Sequence, residues 1–242
     1  MNNIILLFIY FLIFIFGASI SSFYQLFYYR REKGEDFIFK RSYCENCNET
    51  LKTIDLIPVF SYLINRGRCR YCGGKIGREK FILELVTGLL SLLAVLKYGL
   101  SIRLIFIILE VATIISIGYI DLSSGYIYNL DVFILFITEF ISKIYFGEDF
   151  FVTFKLALVL GVIFFLIYFF TGMMGLGDVI YSAAIGFICK SSYEVLLFFN
   201  ISFISAAIAS VVLIILKKKK MKDSISFGPY MSLATVAILF LR

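Results

Sequence analysis

The sequence predicts an all-α polytopic membrane protein of about eight transmembrane helices, with a small zinc-ribbon-like domain between the first helix and the second. Three observations predict it. The 242 residues are 61% hydrophobic with a mean hydropathy of +0.94, against about 45–50% apolar for soluble domains. Apolar runs long enough to cross a bilayer as helices, roughly 17 to 25 residues, recur near 4–28, 81–97, 103–121, 126–143, 150–171, 177–192, 194–216 and 224–241. Charge is segregated: residues 30–80 hold 12 of the 23 Lys and Arg and residues 217–222 five more, leaving six for everything else. The chain thus divides into a first span (1–29), a polar domain (30–80) and a membrane domain (81–242).

The net charge of +6 is a matter of topology rather than of a nucleic-acid surface. With the N-terminus outside, an eight-span path brings both basic segments to one side, which the positive-inside rule makes cytoplasmic. Both termini are then exterior. The first span carries no charge before Arg30 and Arg31. It is too long and too aromatic for a removed signal peptide, and it lacks the basic n-region and small-residue cleavage site. Its cluster of Gly17, Ala18, Ser19, Ser21 and Ser22 suits close helix packing in a membrane. Lys217 to Lys220 with Lys222 read as an anchor that attracts anionic lipid.

The polar domain carries Cys44-Glu45-Asn46-Cys47 and Cys69-Arg70-Tyr71-Cys72, separated by 21 residues. Four thiolates in two pairs suit a tetrahedral structural Zn²⁺ whose closed shell leaves no position for a reacting water. Gly73 and Gly74 suit the tight turn after the second pair. Disulfides are the competing use, but they require an oxidising compartment, and a redox CxxC lacks its usual fold context here. A segment this short buries little core, so metal binding would supply much of its folding energy. Arg66 to Arg70 beside a ribbon raises nucleic acid as a partner. The apolar stretch Leu56-Ile57-Pro58-Val59-Phe60 argues instead for packing against the membrane domain, and no nucleic acid is expected.

Histidine is absent, which excludes Ser-His and Cys-His nucleophile pairs, HExxH zinc proteases and histidine proton shuttles. Acid-base chemistry falls to carboxylates, Lys, Tyr or Cys. Within apolar runs a carboxylate costs roughly 2.5 to 3.5 kcal/mol to insert and usually faces a cavity or partner. Asp178 closes the stretch Met174-Gly175-Leu176-Gly177-Asp178, where Gly175 and Gly177 let another backbone approach closely. Asp121 ends the third span. The predicted topology brings both to the cytoplasmic level, 57 residues apart in the chain. If their helices are neighbours, two like charges at close range do not ionise together, which is the acid and base pair of an aspartic protease.

Other readings compete. Asp178 can be a solvated helix end capped by glycine, and the two aspartates can be unrelated. With Asp131 they can instead serve an ion-coupled transporter, although no internal repeat is visible. A scaffold using the ribbon for docking leaves the aspartates unexplained. Glu84 and Glu110 are further intramembrane carboxylates. Asp131 and Glu139 share a helical face near Lys143, and Cys189 reads as a small buried residue. Ile225-Ser226-Phe227-Gly228-Pro229-Tyr230 reads as punctuation opening the last span.

Taken together these stretches resemble the type IV prepilin leader peptidases, members of the GxGD membrane aspartic proteases. The resemblance covers nearly the whole chain, from Gly17 through Arg31, the paired knuckles with Leu56 to Leu63 and Arg66 to Arg70, Glu84-Leu85-Val86-Thr87-Gly88, Asp121, Gly175-Leu176-Gly177-Asp178, and Phe227 to Tyr230. It implies catalytic roles for Asp121 and Asp178, with Gly175 and Gly177 in the active-site loop. It implies removal of a short basic leader from type IV prepilins or pseudopilins after its Gly, at the cytoplasmic face of the bacterial cytoplasmic membrane. It also implies methylation of the new N-terminal residue, often Phe, with S-adenosylmethionine as donor. The chain departs from the family pattern at Tyr24, Gln25 and Leu26 in the first motif, at Tyr128 and Asn129 after Asp121, at Glu45, and at Ile180.

Overall fold

The chain has two prolines, Pro58 and Pro229; Pro58 lies outside the apolar runs and Pro229 falls in the first turn of the last helix, so each run is free to close its own backbone hydrogen bonds as a helix. The computed structural model describes residues 3–36, 41–172, 174–218 and 225–242. Among them are α1 (Asn3–Lys33), α2 (Phe60–Ile64), α3 (Arg78–Tyr98), α4 (Ile102–Ser124), α5 (Asn129–Phe146), α6 (Phe150–Thr171), α7 (Leu176–Ile188), α8 (Ser192–Ile215) and α9 (Gly228–Leu241), with a 3₁₀ turn at Thr53–Leu56. Local chemistry sets the ends. Asp149 caps α6 by accepting from the Phe151 N–H at 2.8 Å, and Ser191 caps α8 by accepting from Glu194 N–H at 3.3 Å. Gly172 ends α6 at φ +60, a left-handed conformation that glycine adopts without a Cβ penalty.

Each of the eight apolar runs falls on a helix, and five helices, α1, α3, α4, α6 and α8, are long and apolar enough to cross a membrane. The apolar α7 and α9 are shorter, at 13 and 14 residues. The 18-residue α5 carries Asp131, Glu139 and Lys143. Of the lysine run assigned to a lipid anchor, Lys219, Lys220 and Lys222 lie outside the described residues.

The chain forms two compact units, Met1–Ala112 and Thr113–Arg242, dividing within α4. In the first unit α1 lies along α3. A Cβ added at Gly17 would stand 2.0 Å from Ser91 Oγ, and one at Gly88 would stand 2.6 Å from the Phe14 ring, so the small residues permit an approach that larger ones would block. The cysteine domain is joined to this pair by aromatic contacts. Phe60 meets Phe11 edge-on at 5.6 Å, and Tyr62 stacks on Phe81 at 4.7 Å. Of the Leu56–Phe60 stretch, Val59 and Phe60 thus pack on the membrane helices as its composition predicts, while Leu56 and Ile57 are exposed.

In the second unit α7 crosses α6 closely. A Cβ at Gly186 would stand 2.6 Å from the backbone of Leu156 and Ala157. Phe164 of α6 sits among Phe198, Phe199 and Phe203 of α8 and reaches Phe227, whose ring is 4.9 Å from that of Phe203. This aromatic cluster fixes the entry to α9.

Candidate functional sites

The two cysteine knuckles are built alike. In the first, Cys44 N–H donates to Glu49 O at 2.9 Å and Asn48 N–H to Cys44 O at 2.8 Å. In the second, Cys69 N–H donates to Gly74 O at 2.7 Å and Gly73 N–H to Cys69 O at 2.9 Å. An antiparallel bridge closes each, Tyr43 with Thr50 and Arg68 with Lys75. The residue four after the first cysteine has positive φ in both, Asn48 at +56 and Gly73 at +70. Glycine and asparagine are the two residue types that tolerate that conformation best.

The pairing brings Cys44, Cys47, Cys69 and Cys72 together, with all four Sγ atoms within 4.8 Å of one another. Cys44 Sγ and Cys72 Sγ stand 3.9 Å apart, close to the edge of about 3.8 Å that a tetrahedron with 2.3 Å Zn–S bonds requires. A disulfide needs about 2.05 Å, and all four thiols are free. Desolvation opposes ionisation of Cys44, yet the Asn46 and Cys47 backbone N–H groups and the neighbouring thiols draw it down to about 7. At Cys47 the Glu49 N–H favours the thiolate, but desolvation and the adjoining Cys44 and Cys72 prevail and push it up to about 12. Cys44 and Cys47 thus do not shed their protons together, a resistance that a divalent cation removes. The donor set fits a closed four-thiolate metal centre.

The aspartates belong to the second unit. Asp178 occupies the first turn of α7, where its Oδ2 accepts from Gly175 N–H at 3.0 Å and its own N–H donates to Gly175 O at 3.1 Å. The loop after α4 packs on this turn: a Cβ at Gly177 would stand 3.0 Å from that of Ile127. The contact draws the end of α4, and with it Asp121, toward α7. Asp121 is 5% exposed and Asp178 is half-buried.

Asp121 Oδ2 also accepts from Gly228 N–H, the first residue of α9, at 2.8 Å. A Cβ at Gly228 would stand 2.7 Å from that oxygen, so a side chain there would displace the carboxylate. Behind the pair, Tyr181 Oη and Ser232 Oγ share a hydrogen bond at 2.9 Å. The Phe227–Tyr230 stretch, read as punctuation, is therefore part of the site. Its signal in the sequence was glycine just before proline at a span entrance, behind an aromatic anchor.

Of the other carboxylates, Glu139 pairs with Lys143 at 2.7 Å, and Glu148 bridges Lys143 at 3.5 Å and Lys190 at 2.6 Å. This places Glu139 in an ion network at the end of α5. Asp131 is buried at the start of α5, while Glu84 and Glu110 belong to the first unit. Two carboxylates on packed elements, each held by a backbone donor, are suited to activating a water with one group and polarising a carbonyl with the other.

Residues 15–98 match the profile of the bacterial peptidase A24 N-terminal domain, and residues 104–211 that of the type IV leader peptidase family. The chain is 32% identical over 111 residues to a prepilin leader peptidase/N-methyltransferase of Bacillus subtilis, covering 46% of this chain and 45% of that protein. It is 30% identical over 110 residues to the Myxococcus xanthus protein of the same name, covering 46% of this chain and 33% of the relative. A type 4 prepilin-like proteins leader peptide-processing enzyme of Escherichia coli is 28% identical over 213 residues, covering 84% of this chain and 76% of the relative. The chain thus spans less than half the length of the first two relatives. No solved structure matches.

Proposed function

The chain belongs to the type IV leader peptidase family, and on that premise we propose that it is a membrane-embedded aspartic endopeptidase removing the short basic leader of type IV prepilins and related pseudopilins. The observation that carries this reading is that the loop after α4 packs on the first turn of α7 at Ile127 and Gly177, with Asp121 Oδ2 held by Gly228 N–H at 2.8 Å and Asp178 Oδ2 by Gly175 N–H at 3.0 Å. One carboxylate draws a proton from water while the other, protonated, donates to the scissile carbonyl. The dyad shares its titration. Gly175 and Gly177 keep the approach to Asp178 open to an extended peptide backbone, and cleavage falls after the leader's Gly.

In this reading the eight apolar helices, the shorter α7 and α9 included, traverse the bacterial cytoplasmic membrane, with the cysteine domain on the cytoplasmic side, where the leader of a membrane-inserted pilin lies. The chain works in three parts: the first span 1–29, the zinc-binding domain 30–80 and the protease domain 81–242. Cys44, Cys47, Cys69 and Cys72 hold a structural Zn²⁺. The second activity is methylation of the new N-terminal amine, often that of Phe, with S-adenosylmethionine supplying the methyl group. What supports a donor of that size is a cavity of about 440 Å³ in the first unit, between α1, α3 and the cysteine domain, within the usual range for cofactor pockets.

Digestion of a prepilin peptide with a Gly-Phe junction, followed by mass analysis, tests the proposal. Cleavage after Gly is expected for the parent protein and is lost, by about 1,000-fold or more, in both Asp121→Asn and Asp178→Asn. Cleavage that persists in either variant overturns the dyad.

A further inference from the structure

The wall of that cavity contains a carboxylate outside the aspartate pair. Glu84, half-buried in the second turn of α3, lines the cavity together with Ser19 and Ser22 of α1. Of the other acids of the wall, Glu45 pairs with Lys80, Asp55 pairs with Arg70 at 3.4 Å, and Glu79 is exposed in the first turn of α3. Glu84 is the half-buried one without an ion pair among the described residues, and the charge that acts on it, Lys80 one turn earlier on α3, is itself paired with Glu45. Glu84 accepts from Val59 N–H at 2.8 Å and is hydrogen-bonded by the Ser22 side chain.

The donor at Val59 is unusual. Val59 is 4% exposed and has φ +65 and ψ −52, while Phe60 N–H donates to Pro58 O at 2.7 Å across it. This is a γ-turn of the rare, strained hand, on a β-branched residue for which positive φ is a genuine outlier. Backbone strain of this kind persists only where its surroundings over-determine it, and it clusters at ligand clamps. Here the turn turns a backbone N–H onto one side of the Glu84 carboxylate, so that its orientation is set while the cavity side keeps acceptor capacity.

An oriented, negatively charged acceptor lining a cavity is chemistry for a primary ammonium. We propose that Glu84 is the residue that binds the substrate's new N-terminal amine and takes its proton before methyl transfer. This rests on the methylation half of the proposed function. An ammonium has no free electron pair, so one N–H proton must pass to the Glu84 carboxylate first. The sulfonium donor then supplies the methyl group: its C–S bond breaks with the pair remaining on sulfur, the N–C bond forms, and the proton on Glu84 leaves to solvent. Val59 and Ser22 are positioning residues for the carboxylate.

The test uses the full-length protein in lipid nanodiscs and three readouts: prepilin cleavage, methylation of the cleaved peptide, and calorimetric binding of a peptide with a free N-terminal Phe against its N-acetylated twin. Glu84→Gln keeps an acceptor for Val59 N–H and removes the charge. It is expected to cleave within about twofold of the parent, to lose methylation by about 100-fold or more, and to bind the free-amine peptide about tenfold more weakly or worse. Preference for the free amine over the acetylated twin should disappear. Val59→Gly relaxes the turn and leaves the carboxylate, so it should retain that preference, and unchanged zinc content certifies folding in both variants. Methylation at the parent rate in Glu84→Gln, or a parent that binds both peptides equally, overturns the proposal. A parent that fails to cleave overturns the peptidase reading instead, and the binding comparison still decides the role of Glu84.

Discussion

In the cysteine domain each knuckle is set by hydrogen bonds reaching no more than nine residues along the chain, and two such pieces then meet. In the second unit Asp121 is held by a donor 107 residues away, and Gly177 packs on Ile127, which lies across α5 and α6 in the chain. The first site has nearly all its geometry in local turns, and its halves converge on four thiols that fit one ion. The second has almost none of its geometry locally and depends on helix crossings. The difference teaches where each is fragile: the metal centre fails through its ligands, and the aspartate pair through the packing of glycines remote from any charge.

The sharpest way to break this contrast is Cys69→Ser. Structural zinc contributes about 10–16 kcal/mol to folding in comparable small sites. The variant should fall below one zinc per chain by elemental analysis, and hydrogen exchange should rise across the cysteine domain while residues 113–242 keep their protection. Zinc held at full occupancy would remove the four-thiolate assignment. The reciprocal change is Gly228→Val, which places a side chain where a Cβ already stands 2.7 Å from Asp121 Oδ2 and displaces the backbone donor. Cleavage should drop by about 100-fold or more with zinc content unchanged, and a variant as active as the parent would show that Asp121 needs no partner from α9.

A smaller effect is expected at Gly186→Leu. Its Cβ would stand 2.6 Å from the α6 backbone, forcing α7 outward at a cost of about 1–3 kcal/mol and lowering cleavage about tenfold through Asp178 without touching either carboxylate. Smallest of all is Lys190→Gln, which removes a partly exposed ion pair with Glu148. Such pairs contribute about 0–1 kcal/mol, so both cleavage and zinc content should match the parent, and a large loss of cleavage would mean that the far ion network communicates with the aspartates.

How much of each site was legible follows from the same contrast. Two CxxC pairs with glycines after the second announce the metal centre, because ligand spacing and turn residues are themselves sequence. For Asp121 and Asp178 the sequence indicates a depth in the membrane, through span count and basic loops, but not adjacency. The role of Gly228 stayed hidden because its contribution is a backbone N–H, which every residue but proline carries. What marks it is its position against a carboxylate from another helix. Glu84 was visible as an intramembrane acid, while its clamp by Val59 depends on a γ-turn that a valine in an apolar run gives no reason to expect.

Hydrophobicity, charge segregation and cysteine spacing therefore determined by themselves that this chain is helical, membrane-borne and equipped with a thiolate cluster, since those properties sum over residues or act across a few neighbours. Only the tertiary structure decided which carboxylates meet, which glycines admit them and which backbone donor holds Asp121. Those depend on helix crossings set by close packing between segments up to a hundred residues apart, where a single methyl group changes the answer.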